Sequence, residues 1–406
     1  MKENNVKLLV IGHVWPQPNA TAAGEHLLHL IQFFKEINCE ILFASASQQP
    51  SDYNVLSDLK IPMIMVSIND PNFDTLLLDF KPNMVLFDRF MVEEQFGWRV
   101  KKVCPDAICI LDTEDLHFLR KQRKKQLSKP IEHLLSDDAK RELASMYRCD
   151  LNLMVSLKEI ELLKSKYNFP EYLLHYIPLL TKKIVPDSFT NFGARKDVVF
   201  VGNFLHAPNW HAVQLLKKEI WPVLSKLLPE AQLHIYGAYA TEKNYQLTNK
   251  KERFIVHGYV ADLESVLSKT KLLLAPLYFG AGQKGKLLKA MQCGTPTITT
   301  TIGAEAMQFD KSWPGRVTDT INEFVNQTVL LYNNANAWKI AQQNIAVLVN
   351  AHYLYDTHLS IFKEVIADLI SDIDIIRNKN ITGQILWHQS MRSTEFMSRW
   401  IIEKNK

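Results

Sequence analysis

No stretch of this sequence holds 18 consecutive apolar residues, so no membrane-spanning helix is expected. The first apolar run, Leu8 to Ile11, is also too short for a signal peptide. Charge of one sign is nearly absent in excess: the net +4 over 406 residues gives no reason to expect a nucleic-acid partner. Cysteine is scarce, with five residues at 39, 104, 109, 149 and 293. The number is odd and Cys104 and Cys109 lack the CxxC spacing, so reduced, buried thiols are expected rather than a disulfide frame or a thiolate metal site. No metal-ligand pattern, short repeat or low-complexity tract stands out. These absences leave a cytoplasmic chain, soluble or at most peripheral on the inner face of the membrane.

What is present is globular: 47% hydrophobic and 22% charged residues, over a length that suits two cores better than one. Short apolar runs alternate with helical patterns. In the first half the runs are 6–11, 40–44, 61–66, 83–87, 107–111 and 151–155, apolar throughout as strands covered on both faces should be. Leu27, Leu30, Ile31 and Phe34 form one helical stripe between the first two. The rhythm lapses over 176–197 and restarts with runs at 197–202, 231–236, 253–257, 271–275 and 295–300. After the first of these, Asn209 is expected to cap a helix that Pro222 stops. The sequence therefore predicts an α/β protein of two doubly wound, Rossmann-like domains, residues 1–185 and 186–355. A helical extension, 356–406, is predicted to pack back on the first domain through Phe396, Met397, Trp400 and Ile401.

Ligands of such sheets sit beyond the C-terminal strand ends, where loops run into helix N-termini. The stretch PLYFGAGQKGKLLKAMQCGTPTITTTIGAEAM (276–307) is the strongest such loop. Gly280, Gly282 and Gly285 permit tight turns and close approach, and Lys284 and Lys286 add charge at a helix start, the makings of a pyrophosphate cradle. GAGQKG also reads literally as a dinucleotide fingerprint, with Glu305 twenty residues after Gly285. Against that, residues 276–279 separate the strand from the first glycine. In the first half, LDTEDLHFLR (111–120) places Asp112, Glu114, Asp115, His117 and Arg120 beyond a strand end. Asp88, Arg89, Glu93 and Glu94 follow another strand and suit acceptor hydroxyls or an ion-pair network. Gly24 opens the first helix after the Pro16 loop. The run RKQRKKQLSK (120–129) has six cations and no acid, which suits a solvated helix face or contact with anionic lipid.

DVVFVGNFLHAPNWHAVQLLKKEIWPVL, HGYVADLESVL and the 276–307 block together resemble the C-terminal domain of family 4 glycosyltransferases, retaining enzymes of the GT-B fold. The loop at 12–24, DRFMVEEQFGW (88–98), LDTEDLHFLR and VSLKEIELL (155–163) extend the resemblance into the first half. The resemblance implies a nucleotide-diphosphate sugar, a UDP-sugar slightly favoured over a GDP-sugar, held by the second domain without a metal or other cofactor. Gly24, Gly202, Asn203, Gly280, Gly282, Gln283, Lys284, Gly285 and Lys286 are the donor-side candidates. Asp88, Arg89, Glu93 and Arg120 are the acceptor-side candidates. His117, with Asp112 and Asp115, is the candidate at the reacting centre. Many members carry two glutamates seven residues apart in this block, and here those positions are Ala281 and Lys289. A lysine cannot accept hydrogen bonds from ribose hydroxyls. The usual arginine after the first strand of the second domain is also missing, where this chain has Gly202-Asn203-Phe204.

The function so implied is sugar transfer to a saccharide or lipid-linked saccharide, in surface-polysaccharide or glycoconjugate assembly. A non-catalytic GT-B binding protein and a nicotinamide-dependent oxidoreductase are the alternatives.

Overall fold

The computed structural model describes residues 6–50, 53, 55–127 and 135–404. Strands apolar on both faces need cover on both sides, and they find it. In β1 (Lys7–Gly12), Leu9 and Ile11 join one hydrophobic core while Leu8 and Val10 join another on the opposite face. With β2 (Glu40–Ser45), β3 (Met63–Met65), β4 (Met84–Asp88), β5 (Ile108–Asp112), β6 (Leu151–Met154) and β7 (Leu174–Tyr176), it forms a seven-stranded sheet of order β3-β2-β1-β4-β5-β6-β7. Every pairing is parallel. The second sheet contains β8 (Lys196–Val201), β9 (Leu233–Tyr236), β10 (Phe254–Gly258), β11 (Thr270–Ala275), β12 (Thr297–Thr299) and β13 (Gly315–Val317), in the order β10-β9-β8-β11-β12-β13, again all parallel. β7 and β13, three residues each, are too short for a periodicity reading to separate from loop. All five cysteines are free.

Two expectations about the helix after β8 are corrected. His206 caps it, not Asn209, whose amide turns inward to donate to the Asn203 carbonyl. Pro222 does not stop it either: the helix Ala207–Leu215 widens into a π turn over Leu216–Ile220 and continues as Trp221–Leu227 with Pro222 in its first turn. A proline lacks the amide an α-helical interior demands, and the widened turn leaves room for its ring and its missing donor.

The chain passes from one domain to the other over 176–195, a segment with two short 3-10 turns at Pro186–Ser188 and Phe192–Ala194. It returns near Leu354, and the two passages are stitched together. Thr181 donates its amide to Tyr353 at 2.8 Å and accepts from the amide of Tyr355 at 3.0 Å.

Beyond that return, the helix Tyr355–Ser371 buries Leu359, Phe362, Ile366 and Leu369 in the first domain, with the Phe362 ring 5.1 Å from Phe34. The last helix, Ile381–Lys404, lies along the helices Phe90–Val103 and Asp137–Arg148. Its contacts are not the ones the sequence pattern selected. Trp387 donates its indole N–H to the Arg148 carbonyl, and Met391 and Ser398 are buried. Phe396, Met397 and Trp400 are instead 64%, 59% and 58% exposed. The polar Ser398 and Glu395, which meet Arg99 and Lys102, set the rotation of the helix and turn the apolar stripe outward. Among the described residues no helix is long and apolar enough to cross a membrane.

Candidate functional site

The loop between β11 and the helix Gly285–Gln292 lies directly against the first domain. Gly280 and Gly282 have φ of +147° and +62°, conformations that leave glycine as the unstrained choice. A Cβ on Gly282 would fall 2.7 Å from Asp115 Cβ, and one on Gly285 2.2 Å from Ala22 Cβ, so both glycines also set how closely the domains approach. Arg123 crosses the gap and donates to both oxygens of Glu305 at 2.6 and 2.7 Å and to the Gly280 carbonyl at 2.9 Å. Glu159 accepts the Gly282 amide. Gln283 accepts the Leu179 amide at 2.8 Å and donates to Tyr176 and to the Ala306 carbonyl.

Lys284 and Lys286 bracket the start of the helix, and both ammonium groups already have protein partners. Lys284 donates to the carbonyls of Ala281 and Gly282. Lys286 donates to Asn209 Oδ1 at 2.6 Å and lies over the Phe200 ring. Burial lowers Lys284 to about 8 and Lys286, with Lys284 repelling it, to about 7. Asn209 in turn fills the space beside Gly202, where a Cβ would come within 2.7 Å of its amide carbon. Asn203 closes its own turn by accepting the Leu205 amide.

Of the two departures from the family pattern, Ala281 is buried and its methyl belongs to the apolar core of the first domain. Lys289 pairs with Glu264 at 2.6 Å.

Across the gap, the ends of β4 and β5 carry a buried polar cluster. Asp88 and Asp112 end their strands, and Arg89 and Glu114 just beyond them have φ of +75° and +58°. Asp88 accepts the His13 amide at 2.9 Å, and Arg89 Nε stands 3.4 Å from its other oxygen. Burial and the nearby Asp112 push Glu114 up to about 8. His26, from the helix Ala22–Glu36, faces Asp112 at 3.6 Å; burial opposes its charge, but Asp112 holds it up at about 9.

Asp115 is paired with Arg120, and His117 Nε2 is 3.6 Å from it. Burial takes His117 down to about 4 despite Asp115, so the imidazole is neutral near pH 7. Its helix, His117–Gln126, borrows its N-terminal cap: Glu142 accepts the amides of His117 and Phe118 at 3.0 and 2.9 Å.

A cavity of about 230 Å³ opens beside this cluster, lined by Trp15, Gln17, Gly24, Asp88 and Arg89 and bounded from the second domain by Tyr239. Gly24 lines it, though its amide is taken by Thr21, which caps the first helix.

The structure thus brings Asp88, Arg89, Asp112, Asp115, His117 and Arg120 to one wall and Gly280 to Lys286 to the other. Glu93 does not belong with them: it is fully buried behind its helix, bonded to Arg148 at 2.8 Å and Ser145 at 2.7 Å. Its place one turn into the helix after β4 aims it away from the strand end. Within the basic run, Arg120, Lys121 and Arg123 pair with Asp115, Asp138 and Glu305, and Lys121 and Lys124 are exposed. Residues 128 and 129 of that run lie outside the described residues.

Sequence reasoning missed Glu159, Glu142, His26 and the role of Arg123. Glu159 had a signal, because Ser156-x-x-Glu159 is a capping-box spacing. Ser156 does cap that helix, while the glutamate reaches out to the Leu116 and Gly282 amides.

Residues 195–334 match the family model described as Glycosyl transferases group 1. No curated protein matches the sequence. Among solved structures, sucrose-phosphate synthase from Thermosynechococcus elongatus is similar at a TM-score of 0.71 and 14% identity, over 90% of this chain and 100% of that one. Anabaena Alr3699/HepE, solved with UDP and glucose, gives 0.68 and 13% over 90% and 100%. TarM of S. aureus, solved with UDP, fondaparinux and α-GlcNAc-glycerol, gives 0.68 and 10% over 89% and 99%. At these identities the likeness shows the fold, and the fold is GT-B: two parallel-sheet α/β domains with a C-terminal helical region.

Proposed function

We propose that this chain is a glycosyltransferase that takes sugar from a nucleotide-diphosphate donor, a UDP-sugar before a GDP-sugar, with retention at the anomeric carbon. The observation that carries the reading is the Gly280–Lys286 loop, which opens a helix beside two cationic side chains and faces a polar cluster on the other domain. The group 1 glycosyltransferase match over 195–334 includes this loop. UDP in the solved HepE and TarM structures supports the choice of nucleotide.

A departing diphosphate needs positive potential. The helix N-terminus, Lys284 and Lys286 supply it once the lysines exchange their present oxygen partners for phosphate. Gly24 lines the cavity open to the donor, while Gly202, packed on Asn209, shapes the facing loop with Asn203, and Gln283 lies in the glycine loop. His117, neutral and held beside Asp115, is placed for the donor sugar, while Asp88, Arg89 and Arg120 receive acceptor hydroxyls. In this reading the acceptor is a saccharide or lipid-linked saccharide of surface-polysaccharide or glycoconjugate assembly. It is met in the cytoplasm or at the inner face of the membrane.

A non-catalytic role is the second reading, favoured by the buried methyl of Ala281 and the ion-paired Lys289. Thermal shifts with UDP, GDP, ADP and NAD, followed by nucleotide release from sugar donors, separate the two. UDP should raise the melting temperature, and release should fall at least about tenfold in His117→Ala. Binding without turnover moves the assignment to the second reading, and no shift with UDP or GDP at millimolar concentration ends the first.

A further inference from the structure

Three carboxylates meet at the C-terminal ends of β4 and β5. One oxygen from each of Asp88, Asp112 and Glu114 lies within 4.8 Å of the other two. Asp88 Oδ1, Asp112 Oδ2 and Glu114 Oε1 are buried and accept no hydrogen bond. A second feature, on a different element, points at the same spot. His26 is 1% exposed, neither ring nitrogen makes a hydrogen bond, and Nε2 is 3.6 Å from Asp112 Oδ1. Buried polar atoms are almost always satisfied, and orphans on four facing side chains call for one common partner. Arg89, 3.4 Å from Asp88 Oδ1, is the nearest guanidinium; its single charge also acts on Glu114 and Asp112 and offsets only one of the three carboxylates.

We propose that Asp88, Asp112 and Glu114 bind one divalent cation, with His26 beside Asp112 at the edge of the site. Three hard carboxylate oxygens suit Mn²⁺ or Mg²⁺ better than a soft metal. Asp88 also lines the 230 Å³ cavity, which gives the ion a way in and leaves coordination positions for water or for ligand hydroxyls. The site is built from first-domain residues alone, on the wall that faces the Gly280–Lys286 loop, and cation binding there does not depend on sugar transfer.

The test needs neither nucleotide nor sugar. Full-length protein treated with chelator is titrated with Mn²⁺, and free Mn²⁺ is read by electron paramagnetic resonance. One ion per chain should bind with a dissociation constant below about 100 µM, and Mg²⁺ should compete for it. Asp112→Asn and Glu114→Gln should each weaken binding at least about tenfold. Removing one of several like charges relieves repulsion, so these variants should keep the wild-type circular dichroism. Should one fail to fold, Asp88→Asn replaces it. In parallel, millimolar Mn²⁺ should raise the melting temperature of the wild type but not of the variants. No binding at 1 mM overturns the proposal, as does wild-type affinity in the variants; the carboxylates are then balanced by protons, His26 and Arg89.

Discussion

Replacing Ala281 with glutamate would put back a carboxylate that the resembling family carries at this position, and the structure sets its cost. The Ala281 methyl is packed in the apolar core of the first domain, with the domains in contact around it. The neighbouring Gly282 amide is held by Glu159, which burial and then Asp115 push up to about 7, so the surroundings already disfavour negative charge. Lys284 could neutralise a new carboxylate only by leaving the carbonyls of Ala281 and Gly282. A buried, poorly paired carboxylate is penalised by several kcal/mol; about 3 kcal/mol is a fair figure here. At about 2–4 °C per kcal/mol for domains of this size, the melting temperature should fall by about 6–12 °C at pH 8. Ala281→Gln adds the same bulk without the charge and should lose about half as much. The glutamate's folded pKa is raised, so its penalty is present above its unfolded pKa and fades as pH falls. The Glu and Gln variants should therefore converge near pH 5. Scanning calorimetry of both variants at pH 5 and pH 8 measures this. A glutamate variant melting within about 2 °C of wild type at pH 8 would refute the packing argument.

Lys286 has its pKa lowered to about 7 and must be protonated to hold phosphate, so affinity for UDP-glucose should fall about tenfold between pH 6.5 and 8.5. Isothermal titration should show that slope flattened, and binding weakened about 10- to 100-fold, in Lys286→Ala. His117 titrates near 4 when folded but near 6.5 when unfolded, so it withdraws stability, up to roughly 3 kcal/mol, as pH drops from 6.5 to 4. Urea melts of His117→Gln across that window should show a shallower acid loss than wild type. Glu93→Ala removes the buried carboxylate that pairs with Arg148 and should lose about 3–5 kcal/mol in the same assay, against little change for Glu94→Ala at the exposed Arg141 pair. Truncation after Lys379 removes Trp387 and Met391 from the first domain, and light scattering should detect aggregation of the shortened chain.

The two sheets were legible because continuous apolar runs have few folded solutions; residues 6–11 alone imply cover on both faces. The Gly280–Lys286 loop was legible for a similar reason, since glycine clusters before a helix have few other uses. Side-chain direction was not. Glu93 and Asp88 both read as a strand-end acid, yet one turns behind its helix and the other into the cavity. Phe396 and Trp400 made the better apolar stripe, but Ser398 and Glu395 had partners that a one-dimensional pattern cannot see. His26 and Glu159 acquire their surroundings from strands and loops far away in sequence, so nothing local announces them.

The paired passages between the domains limit how the cleft can move. A single connecting strand would let one domain swivel, tilt and drift relative to the other. Here the bonds of Thr181 to Tyr353 and Tyr355 tie the two passages to each other, so neither shifts without the other. Close to those bonds, with Leu179 alongside, Gly285 meets Ala22 with no room for another methyl group. That contact sets how closely the two domains seat beside their crossing, and a side chain added at Gly285 would wedge them apart.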